Sequence, residues 1–195
     1  MAELKGSQTA VNLLKSFAGE SQANMRYTMA AKQAKKDGFV QIQNIFEETA
    51  RNEREHAKRF YKYLVEAYGS GEGIEIDAEY PVAFHTTEEN LQAAVNGELE
   101  EADDLYPEFA DIADKEGFPE IASHWRQIGK VEDCHAKRFK KLLENVKNNR
   151  VFQREEKVYW KCGNCGYICF SKEAPKKCPA CDHPQSFFEI FEETY

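Results

Sequence analysis

Two short motifs with the side chains of a metal site recur along this chain. Residues 53–60 and 132–139 match at six of eight positions, at an offset of 79 residues, and both contain Glu-x-x-His. The motif residues are Glu53 and His56 in the first copy, and Glu132 and His135 in the second. In an α-helix, residues three apart lie on one face, so each motif directs a carboxylate and an imidazole towards one point. The repeat therefore predicts two metal ions, and this ligand chemistry suits iron or manganese without choosing between them.

Further glutamates interrupt the apolar stripes of the predicted helices. Glu20 and Glu98 each follow a glycine and correspond to one another at an offset of 78. Unpaired charge on a buried stripe costs several kcal/mol per group, and bound metal ions would compensate it. One Glu from each of two helices and a Glu-x-x-His from each of two others is a known four-helix metal-binding pattern. Glu101 adds a fifth carboxylate to one half only, because the matching position is Ala23.

Two tyrosines share the stripes of these glutamates. Tyr27 follows Glu20 by seven residues, and Tyr106 follows Glu98 by eight. Two interpretations stay open for them. They are core aromatic residues whose hydroxyls find some partner, or they donate hydrogen bonds to metal-binding carboxylates.

Four long segments with helical periodicity position these residues. The predicted helices run from about Ser7 to Asp37, from Val40 to Tyr68, from an N-cap at Thr87, and from Pro119 after Gly117. Residues 69–86 connect the second and third helices. At about 3.3 Å per extended residue, this connection can traverse the full length of a helix. The third helix then runs parallel to the second, and the two Glu-x-x-His motifs meet at the same height.

The repeat contains one irregularity. The offset is 78 at Gly19 and Gly97 but 79 at Gly38 and Gly117, so the third helix holds one residue more than the first. Pro107 lies in the same interval, and an interior proline removes a backbone hydrogen bond. We therefore predict a π-type bulge or a kink between Glu98 and Pro107.

Residues 151–195 form a second unit after a helical unit of residues 1–150. The tail has the pattern C-x2-C-x12-C-x2-C, formed by Cys162, Cys165, Cys178 and Cys181. Four thiolates at this spacing bind iron or structural zinc in tetrahedral geometry, and a domain of this size needs such a staple. Of the other cysteines, we expect Cys134 to be a small buried apolar residue and Cys169 a free thiol.

The bulk composition excludes several classes of protein. The chain has 195 residues and a net charge of −8, which disfavours nucleic-acid binding. We find neither an apolar leader nor a stretch that would span a membrane. The paired cysteines have ligand spacing rather than disulfide spacing, which favours a reducing cytoplasm. These features predict a soluble globular protein with small-molecule substrates.

With its two metal-site patterns, the whole chain resembles a rubrerythrin. The motifs that carry the resemblance are those of the two metal sites, together with residues 159–167 and Ala174-Pro175 of the tail. The resemblance implies a mainly α fold: a ferritin-like four-helix bundle with a long crossover between helices two and three, followed by a small rubredoxin-like four-cysteine domain. It also implies reduction of hydrogen peroxide to water, in oxidative-stress defence. The electrons would pass from an NAD(P)H-linked donor protein, a rubredoxin or a reductase, through the four-cysteine iron to a di-iron centre.

The resemblance further implies residue roles and an assembly. Three iron ions per chain are expected, with zinc or manganese as substitutes. Glu53 and Glu132 would bridge two irons, and one iron would exchange Glu101 for His56 on reduction. The terminal ligands would be Glu20, Glu98, Glu101, His56 and His135. Members of the family form homodimers, some with swapped helices, and residues 69–73 are where we expect such a hinge.

Two other functions compete with the peroxide reductase. A ferroxidase that oxidises Fe(II) for mineral storage needs the same bundle but has no evident use for a thiolate iron domain. A tail that binds zinc would instead be a module for partner binding. Metal analysis and the visible spectrum distinguish zinc from iron in the tail.

Overall fold

The computed structural model describes residues 3–69 and 71–194 as a helical bundle followed by a small β domain. The helices are α1 (Gln8–Lys36), α2 (Val40–Tyr68), α3 (Thr87–Glu100), α4 (Tyr106–Lys115) and α5 (Pro119–Lys147). A π-helical segment, Glu101–Leu105, joins α3 to α4 so that the two form the third arm of the bundle. The predicted four-helix architecture with a long crossover is confirmed.

Local sequence signals set most helix ends. Ser7 caps α1 by accepting a hydrogen bond from the Ala10 amide. Gly38 and Gly117, which close the two equivalent helices, both adopt positive φ, at 84° and 87°. The predicted N-cap at Thr87 is wrong by one residue. Thr86 is the cap, because its side chain and that of Glu89 form a reciprocal capping box.

The predicted irregularity in the third arm is confirmed as a π-helix. The amide of Tyr106 bonds the carbonyl of Glu101, five residues back rather than four. Pro107 follows at once, in the first turn of α4, where the missing amide is tolerated. The extra residue is thus absorbed over Glu101–Leu105, and the stripes on either side stay in register.

Two apolar layers occupy the bundle, with a polar layer between them. One layer contains Tyr27, Phe46 and Phe139. The other contains Phe60 and Trp125 with their neighbours. On α1, α2 and α5, the glutamates and histidines of the sequence motifs fall between the residues of the two layers. Packing on both sides therefore fixes the height at which these side chains meet.

The tail folds as a three-stranded antiparallel sheet in the order β2–β1–β3. Its strands are β1 (Gln153–Cys162), β2 (Ile168–Glu173) and β3 (Phe188–Ile190). Trp160 and Phe188 are fully buried in its small core. The ring of Phe152 stacks on Phe39 at the start of α2, with centroids 6.1 Å apart, and this contact joins the tail to the bundle.

Across residues 3–69 and 71–194, the helices all fall short of the length and apolarity that crossing a membrane requires.

Candidate metal centres

The structure brings the two Glu-x-x-His motifs together in the polar layer. Two groups of side chains each place their ligand atoms within 4.8 Å of one another. The first group is Glu20, Glu53, His56 and Glu132, and the second is Glu53, Glu98, Glu132 and His135. The two imidazole rings face each other, with centroids 6.2 Å apart. This arrangement has the form of two adjacent metal positions.

Glu53 and Glu132 belong to both groups. The Oε1 atom of Glu132 lies 2.9 Å from His56 Nδ1, and its Oε2 atom lies 2.8 Å from His135 Nδ1. Glu53 is placed in the same way, with Oε2 at 3.1 Å from His56 and Oε1 at 3.3 Å from His135. Each carboxylate therefore presents one oxygen to each metal position, as a bridging ligand does.

The residues of this layer fit metal ions. Both side-chain oxygens of Glu132, with Glu20 Oε2 and Glu53 Oε1, are buried and have no hydrogen-bond partner. The close imidazole nitrogens lack the geometry of a hydrogen bond to these atoms. An unsatisfied buried polar atom costs roughly 1–3 kcal/mol, and more when the group is charged. Oxygen and nitrogen ligands of this kind suit iron or manganese.

Burial and the two imidazoles shift the pKa values of these carboxylates in opposite directions. Burial raises the pKa of Glu20 well above its usual range, and it raises the pKa of Glu98 to about 8. Burial also acts to raise the pKa of Glu53, but the adjacent imidazoles of His135 and His56 lower it to about 2. Burial would lower the pKa of His135, whereas the surrounding glutamates raise it to about 12. A metal ion must displace the protons held here.

The two tyrosines bind the carboxylates of Glu20 and Glu98 across the bundle. Tyr27 on α1 donates its hydroxyl hydrogen bond to Glu98 on α3, and Tyr106 on α4 donates to Glu20 on α1. All four side chains are buried. Tyr106 is the counterpart of Tyr27 at an offset of 79, so the π-helix returns it to the matching position. Of the two interpretations left open for these tyrosines, their contacts therefore match the one in which they donate hydrogen bonds to carboxylates of the candidate metal site.

Glu101 lies outside both groups of ligand atoms. Its carboxylate points towards Gly19 on α1 and borders a cleft beneath the crossover. Burial raises the pKa of Glu101 well above its usual range, and the negative charge of Glu20 adds to the shift. The neighbouring Tyr80, whose pKa is raised by burial and by Glu101, was not singled out by its sequence context.

The four cysteines of the tail converge on a second site. The sulfur atoms of Cys162 and Cys181 lie 3.8 Å apart, and those of Cys165 and Cys178 lie 3.6 Å apart. A tetrahedron with metal–sulfur bonds of about 2.3 Å has edges of about 3.8 Å, so these spacings fit one metal ion. The amide of His183 bonds the Cys181 sulfur and is the main cause that lowers the pKa of this thiol to about 6.

Cys134 differs from expectation, and two further residues contact the thiolate site. Cys134 is exposed rather than buried, because its position before His135 on α5 turns it away from the core. His183 lies beside the thiolate site through its backbone amide. Asn164 also approaches the Cys181 sulfur, with its side-chain nitrogen at 3.6 Å, a contact that no sequence signal indicated.

Comparisons with known proteins agree with this geometry. The sequence model of rubrerythrin matches residues 12–143, and that of the rubrerythrin rubredoxin-like domain matches residues 160–189. The chain is 57% identical to a rubrerythrin from Clostridium perfringens over 100% of both chains. It is 49% identical to a rubrerythrin from Nitratidesulfovibrio vulgaris over 97% of each chain. The chain belongs to the rubrerythrin family.

Solved structures support the assignment at the level of the fold. Nigerythrin in its mixed-valence state aligns with a TM-score of 0.64 and 29% identity, over 97% of this chain and 92% of that one. A bacterioferritin from Desulfovibrio desulfuricans has a TM-score of 0.65 at 17% identity, over 73% of this chain and 82% of that one. The second likeness shows the ferritin-like fold alone. Rubrerythrins are oxidoreductases with a di-iron and a rubredoxin-like domain, and both sets of ligand residues are present in this chain.

Proposed function

We propose that this rubrerythrin is a peroxide reductase, which converts hydrogen peroxide to water in cytoplasmic oxidative-stress defence. One observation carries the proposal. A pair of metal positions that share Glu53 and Glu132 occurs in the same chain as a four-thiolate site with tetrahedral spacing. With iron bound, the first site would exchange two electrons with a substrate, and the second would supply them singly. We divide the chain between these tasks at residue 150.

We assign three iron ions to each chain, with manganese or zinc as substitutes. Glu53 and Glu132 bridge two of them, since each presents one oxygen to each imidazole. The terminal ligands are Glu20, Glu98, Glu101, His56 and His135. The third iron is held by Cys162, Cys165, Cys178 and Cys181. His56 lies within the ligand groups in this structure and Glu101 lies outside them, which is the arrangement we assign to the reduced protein.

When bound, the two bundle irons would supply the two electrons that peroxide reduction requires. The side chains perform the remaining work. Tyr27 and Tyr106 fix the terminal carboxylates through their crosswise hydrogen bonds. The Glu101 carboxyl holds a proton in its position beside the cleft, because burial raises its pKa. This proton is available to an oxygen of peroxide as it becomes water.

The electrons enter from outside the chain. We propose a donor protein linked to NAD(P)H, a rubredoxin or a reductase, that reduces the thiolate iron. We also propose a homodimer in which the thiolate domain of one subunit approaches the di-iron site of the other. Exchange of helices between subunits would hinge at residues 69–73, of which Ser70 lies outside the described residues.

Rapid mixing of the diferrous protein with hydrogen peroxide, in parallel with dioxygen, tests this function. We expect faster reoxidation by peroxide. Faster reoxidation by dioxygen would instead support a ferroxidase of the ferritin-like class. Protein with zinc in the four-cysteine site serves as the control: its first reoxidation by peroxide should persist, while repeated turnover with a donor should stop.

A further inference from the structure

The crossover between α2 and α3 places one aromatic side chain against the bundle. Tyr80 is half-buried, whereas residues 77–79 and 81–82 on either side of it are exposed. Its hydroxyl donates a hydrogen bond to the carbonyl of Lys15 on α1, at 2.9 Å. A ring held by one such bond, in a segment without regular secondary structure, can move without disturbing the helices.

Tyr80 and Glu101 meet over Gly19. A methyl group in place of the Gly19 hydrogen would lie 3.7 Å from Glu101 Oε1 and 3.7 Å from Tyr80 Cε1. The phenol ring and the carboxylate therefore flank the same point on the α1 backbone. Tyr80 therefore lies near Glu101, on the side of the crossover.

This pair borders a cleft of about 520 Å³ between α1, the crossover and the third arm of the bundle. The cleft is also lined by Tyr106, which is bonded to Glu20. It thus extends from the surface to side chains that contact the candidate metal ligands. Glu20 and Glu132 themselves are fully buried, so small molecules need a route to reach them.

We propose that this cleft is the access route for metal ions and peroxide to the paired metal site, and that Tyr80 is a positioning residue that limits its width beside Glu101. The part of the proposal that concerns peroxide rests on the proposed function. The competing route is past the His56 side chain, which is 14% exposed and does not line the cleft. Metal uptake by variants of Tyr80 distinguishes the two routes.

Uptake of Mn(II) by the metal-free, full-length protein tests the route without reference to activity. Mn(II) prefers carboxylate and imidazole ligands to thiolates, so it should bind in the bundle rather than in the tail. The electron paramagnetic resonance signal of free Mn(II) falls as the ion leaves solution and so reports the uptake. We expect Tyr80→Ala to accelerate uptake by about fivefold or more with unchanged stoichiometry, because the Tyr80 ring no longer has to move before an ion can enter. Val82→Ala is the matched control, since Val82 lies in the same segment and is fully exposed.

Uptake by Tyr80→Ala at the wild-type rate would overturn the proposal and assign access to the His56 side. If Tyr80→Ala lowers the helix content, Tyr80→Phe replaces it. That variant keeps the ring and removes only the bond to Lys15. Faster uptake by Tyr80→Phe supports the proposal that the bonded Tyr80 ring limits the cleft, and an unchanged rate contradicts it.

The size of the peroxide gives a second, independent measurement on the iron-loaded protein. An alkyl hydroperoxide takes up two electrons from the reduced irons and two protons, its O–O bond breaks, and it leaves as an alcohol and water. We expect Tyr80→Ala to raise the rate with tert-butyl hydroperoxide, relative to hydrogen peroxide, by about tenfold, because a wider opening admits the larger substrate. An unchanged ratio would contradict a role for Tyr80 in selecting substrates. If neither peroxide reoxidises the wild-type protein, the proposed function fails, and the Mn(II) measurement still decides the route.

Discussion

The π-helix in the third arm can be removed by design, which separates its role in stability from its role at the site. Deletion of Asp103, an exposed residue of the segment, makes the spacing from Glu98 to the tyrosine seven residues, the same as from Glu20 to Tyr27. The third arm can then form a regular α-helix like α1. Glu98 and the tyrosine keep their places, while Glu101 loses the backbone geometry that directs it towards Gly19.

The expected stability change follows from two opposing contributions. A regular helix regains about one backbone hydrogen bond, which contributes roughly 0.5–1.5 kcal/mol. Pro107 would then lie in a helix interior, which costs about 3 kcal/mol. The deletion alone should therefore destabilise the metal-free protein by about 2 kcal/mol. Combined with Pro107→Ala, it should stabilise the protein by about 1 kcal/mol, or roughly 2–4 °C in Tm at this chain length.

The assay compares the deletion with Pro107→Ala, Pro107→Ala alone and the wild-type protein. Thermal unfolding of the metal-free forms gives the stability, and metal analysis gives the number of bound irons. We expect the combined variant to bind two irons in the bundle but to reduce peroxide roughly 100-fold more slowly, because a side chain displaced by about 1 Å can cost this much. A combined variant with raised Tm, two irons and wild-type turnover would refute the reasoning that the π-helix serves Glu101.

Three further predictions concern single groups of the site. Tyr27→Phe removes the bond to Glu98 and should lower the free energy of unfolding by about 1–3 kcal/mol, measured by chemical denaturation, because it leaves a buried carboxyl oxygen without its partner; an unchanged value would show that the bond contributes nothing. Glu101→Ala should retain two bundle metals but lose redox cycling, whereas Glu53→Ala should lose metal; equal metal loss in both would count against a special role for Glu101. In the metal-free protein, the affinity for Mn(II) of the position formed by Glu53, Glu98, Glu132 and His135 should rise with pH from 6 to 7.5, by about 100-fold per pH unit. The reason is that an ion bound there must displace one proton from His135 and one from Glu98. A pH-independent affinity in calorimetric titrations would contradict this protonation.

Periodicity and duplication predict the bundle well from the sequence. The apolar stripes locate α2 from Val40 to Tyr68, and the change of offset between the two halves locates the π-helix. These signals are local or repeat within the chain, so they need no knowledge of packing. The N-cap shows their limit, because Thr86 and Thr87 both have capping side chains and only the reciprocal bonds with Glu89 select the first.

Contacts between elements are much less accessible to sequence reasoning. Tyr27 lies on the same stripe as Glu20, yet it bonds Glu98 across the bundle. The partner depends on how the two hairpins pack, which no spacing along one helix reveals. Tyr80 is harder still, because its segment has no periodicity and its role depends on where the crossover rests on α1. The contact of Asn164 with Cys181 likewise arises from the turn geometry of the tail.

The proposed function requires that electrons from the thiolate iron reduce peroxide through the di-iron site. Fully reduced protein mixed with hydrogen peroxide, without any donor, tests it most directly, with the visible absorption of the ferric four-cysteine site as the signal. We predict that this absorption returns together with peroxide consumption and that Glu53→Ala, which disrupts both metal positions, abolishes its return. A thiolate iron that stays reduced while peroxide disappears, or that reoxidises equally fast in Glu53→Ala, would contradict the claim.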